Sequence, residues 1–188
     1  MTEQLLVEEL KRGSKAAQRE LYDRYAGSAM AVGSRYVPNA DDVRDVLQDS
    51  FIKVFSSVPR FNYRGEGSLK AWVMRIVANE AVSFLRHSHA LSRMELLTDE
   101  PQFPSQGETD GVPEEPDIGD LSMGELMRMI GELPAGYRTV FNLYVFENLT
   151  HKQIAALLDI GESTSASQYL RAKRMLANKI NQYNKQSE

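Results

Sequence analysis

Residues 150–176 read THKQIAALLDIGESTSASQYLRAKRML, a pattern that predicts two helices joined by a tight turn. Thr150 and Gln153 can each bond the other's backbone N–H, which forms a capping box at a helix start. Gly161 can take the positive φ that ends the first helix, and Ser163 can cap the second. This order of elements is typical of a helix-turn-helix, whose second helix can enter the DNA major groove.

The second predicted helix combines apolar and cationic side chains. Its apolar anchors are expected to be Tyr169, Leu170, Met175 and Leu176. Its polar face is expected to include Gln168, Arg171 and Arg174, which are spaced three residues apart. The alternative is an ordinary helical hairpin with a solvated basic face, because short motifs also occur by chance.

Composition limits the function classes. The 188 residues allow one ordinary domain or two small ones, and they include no cysteine. A disulfide framework, a thiolate metal site and a thiol nucleophile are therefore excluded. The N-terminus lacks a signal-peptide pattern, and no apolar run approaches membrane-spanning length. We expect a soluble, cytoplasmic protein that is not inserted in a membrane and that has no cofactor, no metal site and no catalytic residue.

The net charge of −4 is unevenly distributed. Residues 95–120 contain nine acidic side chains and no Lys or Arg, whereas residues 1–94 and 121–188 are each mildly basic. A segment this acidic, rich in Pro and Gly, buries too little apolar surface to fold alone. We predict a flexible acidic linker at 95–120, acting either as a passive tether or as an occupant of a basic groove on a partner.

The capping and helix-ending residues before the linker predict only helices. Ser14 should cap a helix from residue 15 to about Val37, and Asn39 should cap the next, which Pro59 ends. Ser68 should cap a helix that continues to about His87. The predicted fold class is therefore all-α, with two small helical domains joined by the linker. Their predicted ranges are 1–94 and 121–188.

The loop at residues 60–68, RFNYRGEGS, mixes aromatic, cationic and amide side chains around two glycines. Aromatic rings stack on unpaired bases, cations hold phosphates and amides read base edges, so the loop is a candidate site for extruded bases. The alternative is a plain surface loop with Phe61 tucked into the core.

Two parts of the chain carry a family resemblance. Residues 42–55 (DVRDVLQDSFIKVF) and 61–86, which include RGEGSLKAWVMRIVAN, resemble region 2 of the bacterial extracytoplasmic-function (group 4) sigma factors. Residues 133–172, with Leu133-Pro134, Leu149-Thr150 and Arg171-Ala172, resemble region 4 of the same family. The two matches and the acidic gap occur in the family's order, which is far more specific than either match alone.

The resemblance implies a sigma factor that binds core RNA polymerase, recognises promoter DNA and melts it. In the family, the helix matching residues 42–55 docks on the β′ clamp helices, and region 4 meets the β flap. The residues that match the docking face are Asp42, Asp45, Gln48 and Asp49. Phe51 and Phe55 are expected in the core instead. The resemblance also implies an anti-sigma factor as a further partner, and the acidic linker would lie in the polymerase active-site cleft and RNA exit channel.

The resemblance also implies two DNA contacts. The loop 62–68 and the next helix would capture the opened non-template strand of the minus-10 element. The candidate minus-10 residues are Asn62, Tyr63, Arg64, Ser68, Arg75, Asn79 and Arg86. The second helix of the helix-turn-helix would enter the minus-35 major groove. The candidate minus-35 residues are Ser163, Thr164, Ser165, Ser167, Gln168, Arg171, Lys173 and Arg174.

The sequence departs from the family where Ala166 and Gln168 replace frequent cations and where Ala78 replaces a frequent Arg. Gln168 could instead pair with an adenine edge. Two other function classes predict different sequence patterns. A stand-alone helix-turn-helix regulator should lack the region 2 pattern, which is present. A recombinase-like enzyme needs clustered catalytic groups, and His87, His89 and His151 have no metal-ligand spacing.

Overall fold

Eight α-helices make up the regular structure of residues 1–87, 116, 118 and 121–187, the part of the chain that this computed structural model describes. These residues form no β-strand, which confirms the all-α class. The chain divides into an N-terminal unit, residues 1–85, and a C-terminal unit, residues 86–188. The predicted boundaries at 94 and 120, and the acidic linker between them apart from residues 116 and 118, lie outside the described residues and stay predictions.

The N-terminal unit is built from four helices and one 3₁₀ turn. The helices are α1 (Glu3–Lys11), α2 (Lys15–Tyr36), α3 (Ala40–Ser57) and α4 (Ser68–His87), and the turn is Val58–Arg60. Two predicted caps are confirmed, since Ser14 Oγ accepts from Ala17 N at 3.3 Å and Asn39 Oδ1 from Asp41 N at 2.8 Å. Local capping therefore sets the starts of α2 and α3. The predicted cap at Ser68 is wrong, because Ser68 is the first residue of α4 and its Oγ accepts from Arg64 N before the helix.

All four helices contribute buried side chains to the core of the N-terminal unit, and α3 packs against α2 within it. Val43, Val46, Leu47, Phe51 and Val54 are buried, as the helical spacing predicts, whereas Phe55 is half-buried. α2 approaches α3 closely at Gly33, where a Cβ atom would lie 3.0 Å from Val43 Cγ1. This glycine lets the two backbones come together, so α3 is held with one face inward and the other in solvent.

The C-terminal unit contains α5 (Met123–Gly131), α6 (Ala135–Val145), α7 (His151–Leu158) and α8 (Glu162–Ser187). The long helix α8 packs on α5, α6 and α7. One core cluster of this unit consists of Met129, Ile130, Leu133, Ala172, Leu176 and Ile180. The C-terminal half of α8 is thereby anchored, and its N-terminal half lies against α6 and α7.

The capping box at the start of α7 is confirmed. Thr150 Oγ1 accepts from Gln153 N at 3.3 Å, and Gln153 Oε1 accepts from Thr150 N at 2.9 Å. The turn after α7 differs from the prediction, because the positive φ of 58° belongs to Asp159 and not to Gly161. Aspartate tolerates the left-handed region better than most residues. α8 then begins at Glu162, so Ser163 lies inside its first turn and is not its cap.

Removal of the Thr150 cap should destabilise the C-terminal unit. Thr150→Ala leaves Gln153 N without its side-chain acceptor, and the expected loss is about 1 kcal/mol of unfolding free energy. Urea denaturation followed by circular dichroism measures it. Thr150→Ser keeps the oxygen and should unfold as the wild type does. An equal loss in both variants would assign the effect to the threonine methyl group and contradict the capping account.

Candidate nucleic-acid interface

An open cavity of about 500 Å³ lies where the loop before α4 meets the first turns of that helix. Its lining residues are Arg60, Phe61, Asn62, Arg64, Ser68, Ala71, Trp72 and Arg75. The aromatic rings of Phe61 and Trp72 form the floor of the cavity, with centroids 4.7 Å apart and planes inclined by 34°. Three arginines and one amide surround these rings.

The loop that supplies this cavity has a defined backbone. Gly65 and Gly67 have φ values of +112° and +85°, which residues with a side chain rarely adopt. Ser68 Oγ accepts from Arg64 N at 3.2 Å and donates to Gly65 O at 2.6 Å. The two glycines and this pair of hydrogen bonds turn the chain from the cavity wall into α4.

The chemistry of the cavity fits an unpaired nucleotide. An aromatic ring can stack on any nucleobase, an amide can bond the edge of a nucleobase, and arginines can hold the neighbouring phosphates. Phe61 is only 8% exposed, so the alternative that its ring packs into the core is confirmed. The same ring nevertheless contributes to the cavity wall, so Phe61 both packs into the core and lines the cavity.

The cavity brings together four of the seven predicted minus-10 residues: Asn62, Arg64, Ser68 and Arg75. Tyr63, Asn79 and Arg86 are not among its lining residues. Sequence reasoning missed Ala71 and Trp72 as lining residues, whereas Arg60 belongs to the predicted loop but not to the predicted minus-10 set. A usable signal was present, because Ala71, Trp72 and Arg75 follow Ser68 at spacings that share one side of a helix.

A polar stripe continues from the cavity along α4. Ser68, Arg75, Asn79 and Arg86 are separated by seven, four and seven residues, which places them on one helix face. At 1.5 Å per residue this stripe is about 27 Å long. Asn79 and Arg86 therefore lie on the same helix face as the cavity residues Ser68 and Arg75 but outside the cavity.

A second exposed face belongs to α3. Asp45, Gln48 and Asp49 are exposed and Asp42 is half-buried, so the predicted docking residues are open to solvent. Ile52 lies on the same face and is 60% exposed. Sequence reasoning missed Ile52, although its position out of phase with the buried α3 residues is a readable signal. The face thus combines negative charge with one apolar side chain.

The N-terminal half of α8 presents the candidate minus-35 surface. Ser163 and Ser167 are exposed, and the predicted residues that are half-buried are Thr164, Arg171, Lys173 and Arg174. Leu170, expected to be an apolar anchor, is 38% exposed on this surface. Its spacing from Ser163 and Ser167 places it on their face of the helix. The surface therefore offers hydroxyls, cations and one apolar side chain.

Two residues of the predicted minus-35 set require correction. Ser165 is fully buried, and its Oγ shares a 3.0 Å hydrogen bond with His151 Nδ1. Gln168 is 3% exposed and has no access to an adenine edge in this structure. Both residues align with Ala172 and Leu176 at spacings of three and four, on the inner face of α8. We therefore remove Ser165 and Gln168 from the DNA-contact set.

An aromatic cluster holds the helix-turn-helix together at this point. The His151 ring stacks on Tyr144 with centroids 4.7 Å apart, and Tyr144 lies 4.4 Å from Tyr169. Burial raises the pKa of the Tyr169 hydroxyl. These contacts join α6, α7 and α8, so His151 serves packing and hydrogen bonding. Within the described ranges, no group of three potential ligands is placed to hold a metal ion.

Comparison with known proteins gives the same two regions. The family Sigma-70 region 2 matches residues 21–90, and the family Sigma-70, region 4 matches residues 123–176. A Haemophilus influenzae protein named ECF RNA polymerase sigma-E factor is 31% identical over 185 residues, which cover 96% of each chain. This chain belongs to the extracytoplasmic-function sigma factors of the sigma-70 family. Sigma factors are non-enzymatic transcription initiation factors.

Other relatives of this sigma factor cover a similar span. The sigma-E factor of Escherichia coli K12 is 30% identical over 185 residues, covering 96% of this chain and 95% of the relative. A solved structure of the sigma factor RpoE with the anti-sigma factor NepR from Bartonella quintana gives a TM-score of 0.48 at 20% identity. That alignment covers 85% of this chain and 94% of the other. No helix among the described residues is long and apolar enough to span a bilayer.

Proposed function

We propose that this sigma factor binds core RNA polymerase and opens promoters by capturing an unpaired base in the cavity at the start of α4. The observation that carries the proposal is the pair of aromatic rings, Phe61 and Trp72, in a cavity also lined by Arg60, Arg64 and Arg75. An unpaired base and its phosphates match this combination of aromatic and cationic groups. Region 4 would anchor the same complex at the minus-35 element.

Promoter opening by this route needs no covalent step. Extrusion of a base costs a few kcal/mol of stacking and pairing, and stacking on an aromatic side chain returns roughly 1–3 kcal/mol per base. Because the cavity accepts only an unpaired base, its binding energy favours melted over duplex DNA. The stripe through Asn79 and Arg86 would guide the rest of the non-template strand.

Region 4 would read the minus-35 element with the exposed face of α8. Arg171 and Arg174 can bond guanine edges or phosphates, and Leu170 can contact a thymine methyl group. Ser163, Thr164, Ser167 and Lys173 complete the proposed set. Because Gln168 is buried, fewer side chains on this face can recognise the DNA sequence. Core polymerase would therefore link the region 2 and region 4 contacts to DNA and raise their effective concentration.

Removal of one cation from this face should weaken DNA binding. Arg174→Ala should lower holoenzyme affinity for duplex promoter DNA and, if the contact is to a phosphate, reduce the salt slope of log K by about 1. A salt titration by fluorescence anisotropy measures both. Lys185→Ala removes a cation from the far end of the same helix and should leave affinity and slope unchanged. Equal effects of the two variants would mean that region 4 contributes only diffuse charge.

The proposed protein partners follow from family membership. Core RNA polymerase would receive the α3 face of Asp42, Asp45, Gln48 and Asp49 on its β′ clamp helices, and region 4 on its β flap. The exposed Ile52 adds an apolar contact to that face. An anti-sigma factor is the proposed inhibitor. The proposal assigns no catalytic residue and no cofactor, and it places the protein in the cytoplasm, where promoters and polymerase meet.

Permanganate footprinting tests the proposal against a stand-alone regulator. The holoenzyme should make thymines of the minus-10 element reactive, and the sigma factor alone should neither melt the promoter nor bind it tightly. Protection of the same DNA by the free protein, without core and without melted thymines, would support the regulator instead. Reactive thymines that persist after the cavity side chains are removed would contradict the assignment of the cavity.

A further inference from the structure

A buried carboxylate lies behind the loop that supplies the cavity. Glu3 of α1 is only 2% exposed. Its Oε1 accepts from Leu69 N at 2.9 Å, and its Oε2 accepts from Gly67 N at 3.2 Å and from the Tyr25 hydroxyl at 3.1 Å. Burial, and then the Glu3 carboxylate, raise the pKa of Tyr25, so the phenol remains a donor at neutral pH.

These contacts make Glu3 a cap for a helix more than sixty residues away. The first N–H groups of a helix have no partner within it, and the N-terminal end of its dipole favours a negative charge. Leu69 N belongs to the first turn of α4, and Gly67 N belongs to the loop just before it. Ser68, between them, holds the other side of the loop through Arg64 N and Gly65 O.

We propose that Glu3 is a positioning residue for base capture and that α1 is therefore part of the promoter-opening apparatus. Region 2 is matched only from residue 21 onward, so the family match does not include this helix. The inference rests on the proposed function, because it assigns Glu3 to the orientation of the cavity wall. A carboxylate that accepts three hydrogen bonds fixes the Gly65–Gly67 turn and with it the directions of Asn62 and Arg64.

The test uses full-length holoenzyme and a single-stranded minus-10 oligonucleotide from a promoter that it transcribes. A second oligonucleotide has an abasic site at the captured position, and anisotropy gives the affinity ratio of the two. Glu3→Gln keeps the size of the side chain but loses its charge and turns one oxygen into a donor. We expect it to reduce the ratio about tenfold, in line with the weakening of charge-assisted hydrogen bonds, with core affinity unchanged.

Two further variants separate positioning from folding. Tyr25→Phe removes one donor to Glu3 while both backbone contacts remain, so it should lower the unfolding midpoint and leave the base ratio near wild type. Glu8→Gln changes an exposed acid of the same helix and should alter neither measurement. The inference is overturned if Glu3→Gln keeps the ratio, or if Tyr25→Phe reduces it as much. If the wild type itself shows no preference for the intact oligonucleotide, the proposed base capture fails first.

Discussion

The Asp45→Arg, Gln48→Ala double variant is expected to lose co-purification with core RNA polymerase while it stays folded. Both side chains are exposed on α3, opposite the buried face that packs on α2. Neither side chain makes a hydrogen bond or ion pair within residues 1–87 and 121–187, so their replacement removes no polar interaction in that part of the chain. Charge reversal at a complementary interface costs several kcal/mol, and each 1.4 kcal/mol is tenfold in Kd. We expect core affinity to fall roughly a hundredfold.

The matched control for this variant is Glu8→Arg. It reverses an exposed acid on a different helix, α1, and should co-purify with core as the wild type does. Circular dichroism and the thermal midpoint should agree for all three proteins. Core binding that survives in the double variant would remove the docking assignment of α3. If Glu8→Arg also lost core binding, the change in the overall charge of the protein would explain the result, and a specific docking face on α3 would not.

Asn62→Ala is expected to slow open-complex formation on duplex promoter DNA by about ten- to a hundredfold. The side chain is exposed and lines the cavity, so the change removes a group that can bond a base edge and leaves the backbone in place. A specific base contact is worth roughly 1–3 kcal/mol. Stopped-flow fluorescence of a base analogue in the minus-10 element measures the rate directly.

The same variant should be much less impaired on a template that is already melted. A mismatched bubble removes the cost of unstacking, so capture of the base limits the reaction less. Lys70→Ala is the control, because it removes an exposed charge from the first turn of α4 without a place in the cavity. If Lys70→Ala were equally slow on duplex DNA, simple phosphate attraction would explain the result and base capture would not.

The sequence predicts the helices well because their signals are local. The caps at Ser14, Asn39 and Thr150 act within four residues, and the apolar spacing of α3 shows its buried face directly. The positive φ at Asp159 was missed because glycine and aspartate both occur at helix ends, and the rule favours glycine. Either residue is compatible with the same turn, so local pattern alone cannot choose between them.

The site could be predicted only in part, because its form depends on contacts between distant segments. Asn62, Arg64 and Arg75 follow from the loop composition and family resemblance, but the Phe61–Trp72 pair is made by tertiary packing. Glu3 had no local signal, since its backbone partners Gly67 and Leu69 lie more than sixty residues away and Tyr25 lies 22 residues away. The spacing of Gln168 with Arg171 and Arg174 predicts an outward position, whereas the packing of α8 buries Gln168.

The most direct test of the central claim is transcription in vitro with purified core RNA polymerase, this protein and a library of genomic promoter fragments. The account predicts start sites that are absent with core alone and that share two upstream elements at fixed spacing. It also predicts that these start sites disappear with the Asp45→Arg, Gln48→Ala variant. Folded protein that yields no start sites above the core background would contradict the account.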